Sequence, residues 1–60
     1  MSGESLAAWR TARGLSQGAL ADALGCSRRA IVNWETGVYP VPRYIALALA
    51  AIARKLQPAS

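Results

Sequence analysis

Ser16-Gln17-Gly18-Ala19-Leu20-Ala21-Asp22-Ala23-Leu24-Gly25-Cys26-Ser27-Arg28-Arg29-Ala30-Ile31-Val32-Asn33-Trp34-Glu35-Thr36-Gly37 is the stretch that decides how this chain reads. It holds two short helical segments divided by a glycine. Ser16 stands where an N-cap hydroxyl would satisfy a free backbone N–H of the first turn. Leu20, Ala21 and Leu24 then make an apolar stripe at helical spacing, with Leu15 just outside it. Gly25 stops the segment and Ser27 caps the next, in which Ile31, Trp34 and Ala30 face inward. Arg28, Arg29, Val32, Asn33 and Thr36 are left on the outside, and Gly37 ends the run. Only Gly25 and Cys26 lie between the segments, and a glycine free to take positive φ lets the two helices cross steeply.

A further helix is expected on each side. Over residues 4–13, Ser2 or Gly3 serves as cap and Glu4 suits the positive end of the helix dipole. Leu6, Trp9 and Arg13 share a side there, Arg10 lies beside them, and Arg13 followed by Gly14 is a helix ending. Pro40 and Pro42 precede the last segment, with Pro42 fitting its first turn. Ile45, Leu49, Ile52 and Leu56 repeat at helical spacing, and Arg54 and Lys55 suit the C-terminal end. Nothing alternates as a strand would. The chain therefore reads as one all-α domain over residues 1–60, a small bundle of four to five helices spanning about 4–13, 16–24, 27–35 and 42–56.

Sixty residues bury one small core at most, which excludes a two-layer catalytic fold with its own substrate domain. Seven basic residues oppose three acidic ones, a net charge of +4 that points to a polyanion, nucleic acid before an anionic membrane. With no His, one Cys and three carboxylates, neither a metal site nor a Cys–His or carboxylate pair is readily built, so no enzyme, metal or cofactor is expected. Cys26 alone makes no internal disulfide and suits a reducing cytoplasm. The first six residues lack the basic and apolar regions of a secretory signal. The longest apolar run, residues 44–53, is too short for a membrane span, which takes ~20 residues.

A short helix, a glycine turn and a second helix bearing outward arginines and an amide form the helix-turn-helix pattern. The second helix of such a pair lies in the major groove, where Arg suits guanine and Asn suits adenine. Arg28, Arg29 and Asn33 are reachable from one helix face. Leu15-Ser16-Gln17, Leu20-Ala21, Leu24-Gly25, Ser27, Ile31 and Trp34-Glu35-Thr36-Gly37 also resemble the Cro/C1-type (XRE) helix-turn-helix, with its lambda-repressor-like fold. That family reads roughly L-S-Q-x-x-L-A-x-x-L-G-V-S-x-x-x-I-x-x-W-E-x-G. The likeness runs from Leu6 to about Leu56, with Gly18 where a larger residue is usual and Cys26 where Val is common. The stretch from Gly37 into the last helix also resembles small phage-encoded autorepressors, including those beside anti-CRISPR genes.

The resemblance implies base contacts from Arg28, Arg29 and Asn33, with Val32 against a thymine methyl. It implies backbone contacts from Gln17, Ser27, Tyr39 and Arg43, and a structural ion pair between Arg10 and Glu35. Separately, Tyr44, Leu47 and Ala51 make a second apolar face on the last helix, more than one small core needs, and are expected to form a homodimer interface. A dimer sets two reading helices one DNA turn apart on a palindromic operator. The expectation is a dimeric repressor of double-stranded DNA in the cytoplasm, at a bacterial nucleoid or in a phage-infected cell. The alternative is an antitoxin-like protein-interaction module using the last helix. A membrane-surface peptide would need a basic stripe that residues 42–56 lack between Arg43 and Arg54.

Overall fold

Serines start the first three helices of the computed structural model, which describes residues 1–56 and the side chains of residues 1–54. The helices are α1 (Gly3–Ala12), α2 (Gln17–Leu24), α3 (Arg28–Glu35) and α4 (Arg43–Leu56). Ser2, Ser16 and Ser27 each sit in extended backbone one residue before a helix, and each Oγ accepts the N–H three residues on, from Ser5, Ala19 and Ala30. Ser16 and Ser27 are thus the N-caps the sequence leads one to expect, with α2 and α3 starting one residue later, at Gln17 and Arg28. Gly3, one of two expected caps for α1, is its first helical residue, and α4 begins at Arg43, after Pro42. The Pro42 carbonyl accepts the Ile45 N–H at 3.0 Å and so opens the first turn.

Glycines end the same three helices. Gly25 has φ 73°, a left-handed conformation that costs a residue without Cβ little. Its N–H donates to the Asp22 carbonyl at 3.2 Å and the Cys26 N–H to Ala21 at 3.0 Å, the paired bonds of a Schellman ending. The end of α1 repeats this: Gly14 N–H donates to Thr11 and Leu15 N–H to Arg10, at 3.0 and 3.1 Å.

The core is Leu6, Leu20, Ala21, Ile31, Ile45 and Leu49, contributed by all four helices. Trp9, Leu15, Leu24, Cys26, Trp34, Val41 and Ile52 pack around it, partly buried. Leu56, placed last in the apolar stripe, lies outside the described side chains. α3 packs most extensively on α2 and then on α1, so two neighbours fix its orientation. Gly3 makes the α1–α3 approach possible: a Cβ there would lie 2.2 Å from the Trp34 carbonyl oxygen and 2.8 Å from that of Glu35. Among the described residues there is no strand, and no helix is long and apolar enough to cross a membrane.

Candidate nucleic-acid interface

The start of α3 is an exposed basic edge of the domain. Ser27 ends the turn after α2, and Arg28 and Arg29 open the helix with both side chains in solvent. Val32 and Asn33, half-buried, follow one turn later. Arg28, Arg29 and Val32 line an open groove of about 360 Å³. Among the described residues the two arginines enter no ion pair. Their charge is therefore available to a ligand, and Arg presents a donor fork that matches phosphate or the guanine edge. Ile31 and Trp34 occupy the opposite side of α3 and hold it to the core. The alternation of outward arginines and inward apolar residues thus fixes which face is free.

The other sequence-predicted residues are spread over three elements. The Ser27 hydroxyl accepts the Ala30 N–H at 3.2 Å, which leaves its O–H available as a donor. Tyr39 is 59% exposed in the loop before α4, where its N–H donates to the Asn33 carbonyl at 3.3 Å. Arg43 is exposed at the first position of α4. Tyr44 and Leu47 are exposed, at 64% and 72%, and Ala51 is exposed beside them. Val38 and Tyr39 add to the exposed apolar surface near the start of α4.

Arg10 of α1 and Glu35 at the end of α3 meet as an ion pair. Arg10 Nε donates to Glu35 Oε2 at 2.7 Å and Nη2 to Oε1 at 3.1 Å, the two-pronged geometry that favours Arg over Lys. Arg10 Nη1 also donates to the Leu15 carbonyl at 2.8 Å, which ties the α1–α2 turn to the pair. The side chains are 15% and 7% exposed. The hydrogen bond from Arg10 holds the Glu35 carboxyl below its ordinary pKa; burial opposes this, while the Gln17 amide and the Arg10 charge assist it. The same hydrogen bond raises Arg10.

Gln17 belongs to this cluster, a placement that sequence spacing could not show. Its Nε2 donates to Glu35 Oε1 at 3.1 Å, across 18 positions in the chain. Arg13 is exposed just past the end of α1, with its guanidinium 4.1 Å from the centre of the Trp9 ring, and it donates to the Trp9 carbonyl. Burial raises the thiol pKa of the partly buried Cys26, so the reactive thiolate is disfavoured. Among the described residues no group of three His, Cys, Asp or Glu side chains could hold a metal ion.

Residues 3–57, most of the chain, match a family described as Helix-turn-helix domain. Neither a curated protein nor a solved structure gives a match.

Proposed function

This chain belongs to the helix-turn-helix domain family, and we propose that it is a sequence-specific repressor binding double-stranded DNA as a homodimer. Family membership makes it a DNA-binding regulator; the finer reading comes from the exposed face. Its chief support is the start of α3, where Arg28 and Arg29 stand free in solvent at the groove they line with Val32.

In this reading α3 enters the major groove N-terminus first. Arg28 and Arg29 donate to guanine O6 and N7, Asn33 pairs with an adenine edge, and Val32 packs on a thymine methyl. Gln17, Ser27, Tyr39 and Arg43 hold the phosphate backbone, which sets register but reads no sequence. The exposed face of Tyr44, Leu47 and Ala51 joins two copies, so that two α3 helices fall ~34–36 Å apart on an inverted repeat. Repression then follows from occupying a promoter. The XRE type is supported by the Leu15–Gly37 pattern, and the small phage-encoded autorepressor by the segment after Gly37.

The test is selection from a randomised duplex pool at ~150 mM salt, where non-specific binding is weak. The expected result is an enriched inverted repeat whose half-site carries guanines. Salt-sensitive binding with no enriched sequence would remove the reading function and leave only the charge. It would then favour the second reading, a protein-interaction module, for which the exposed Tyr44 and Leu47 are the supporting observation.

A further inference from the structure

We infer that Glu35 is a positioning residue for DNA binding: its carboxylate, neutralised by Arg10, holds the Gln17 amide ready to donate to a phosphate. The inference rests on the DNA-binding reading above and on Gln17 as a backbone contact. Glu35 closes α3, whereas Gln17 opens α2, the helix packed against it. Glu35 Oε1 accepts from both Arg10 Nη2 and Gln17 Nε2, each at 3.1 Å.

A primary amide has two N–H donors and a carbonyl that accepts two bonds. Among the described residues, one N–H of Gln17 is used, on Glu35. Gln17 is half-buried, so solvent and ligand reach it. The second N–H is the group a phosphate oxygen can take. A glutamine side chain is rich in rotamers, and fixing it on binding costs affinity unless it is already fixed. Glu35 supplies that restraint before DNA arrives.

Charge explains why the restraint does not repel the ligand. A bare carboxylate one hydrogen bond from a phosphate contact would oppose it. Arg10 meets both oxygens of Glu35, so the pair presents little net charge to the backbone. The Arg10–Glu35 pair therefore has a second task besides tying α1 to α3.

A double-mutant cycle tests this. The probe is a fluorescein-labelled duplex of random sequence at about 50 mM salt, because phosphate contacts do not depend on sequence. Gln17→Ala should weaken binding about ten- to a hundredfold in the native chain, as for one hydrogen bond to a charged group. In an Arg10→Met/Glu35→Leu background, the same change should weaken it less than about twofold, because an unrestrained amide contributes little. An equal loss in both backgrounds overturns the proposal, since Gln17 would then act without Glu35. No loss in the native chain overturns it too, since Gln17 would not touch phosphate. Failure of the native chain to bind any duplex instead overturns the DNA-binding reading, and this proposal with it.

Where the apolar background does not fold, Glu35→Ala, which leaves no side-chain acceptor for the Gln17 N–H, serves with a second readout. The 15N–1H signals of the Gln17 side-chain amide should move on adding the random duplex to the native protein. They should move less than half as far with E35A, and equal movement overturns the proposal. A purely structural role for Glu35 would not change that response.

Discussion

Arg10 and Glu35, 25 positions apart, meet through two hydrogen bonds of 2.7 and 3.1 Å and join the first helix to the end of the third. Removing one member of a well-buried pair leaves the other charge uncompensated, at a cost of about 3 kcal/mol. That is a large part of the stability of a 60-residue domain. Glu35→Ala should therefore lower the melting temperature by more than about 10 °C. A melt within a few degrees of the native one would show that the pair contributes little.

The same pair predicts an acid transition. Glu35 is held below its ordinary value of 4.5, so folding favours its ionised form. That contribution is fully present above about pH 4.5 and is lost as pH falls through the folded pKa. Stability of the native chain should therefore fall on acidification below pH 4.5, and Glu35→Gln should flatten that fall while lowering stability at neutral pH. Urea titrations from neutral pH to about pH 3 measure both effects. Equal acid slopes for native and variant would assign the transition to other carboxylates.

Two glycine-to-alanine changes should act in opposite directions. At Gly3 a Cβ meets the carbonyl oxygens of Trp34 and Glu35, backbone atoms that cannot turn aside. Gly3→Ala should thus destabilise by about 1–3 kcal/mol, the cost of overpacking. At Gly18 a Cβ meets nothing within 4 Å, and the backbone is helical. Gly18→Ala should stabilise by about 0.5 kcal/mol through the unfolded chain's lost freedom. Thermal melts of the two variants check the opposite signs, and a stabilising Gly3→Ala would refute the close α1–α3 approach.

Arg28 and Arg29 predict the reverse separation, function without stability. Both are exposed and unpaired among the described residues, so each alanine variant should melt within about 0.5 kcal/mol of the native chain. Each should weaken binding to a selected duplex by about 1–3 kcal/mol and relax preference at one base pair. Retained affinity and preference in both variants would remove α3 as the reading helix.

The helices were legible because their ends are written locally. A serine that can accept an N–H three residues on, and a glycine that can turn left-handed, act within one turn of chain. The inward stripes of α2, α3 and α4 follow from the period of a helix, and Leu20, Ile31, Ile45 and Leu49 are buried accordingly. What the sequence hid is tertiary. Gly3 reads as a cap from its neighbours, yet its missing side chain matters because of two carbonyls more than 30 residues away. Gln17 suits a helix start, but its bond to Glu35 exists only once α2 lies against α3. The Arg10–Glu35 pair was expected from family resemblance, because no local rule joins residues so far apart.

Leu47 and Leu49 lie two positions apart on α4 and should respond in opposite ways. Leu49 is 1% exposed, within the core, and Leu47 is 72% exposed. Leu49→Ala removes buried atoms and leaves a cavity, at a cost of about 2–5 kcal/mol, enough to unfold much of so small a domain. Leu47→Glu removes no buried contact and should leave the monomer's circular dichroism and melt within about 0.5 kcal/mol of native at low concentration. If the face of Tyr44, Leu47 and Ala51 joins two copies, it places a charge in an apolar interface, where burial without a partner is strongly opposed. Sedimentation should then show native dimers and Leu47→Glu monomers. The variant's affinity for a selected inverted repeat should fall toward that for a single half-site. A Leu47→Glu protein that still sediments as a dimer would move the interface off this face, while leaving the reading of α3 untouched.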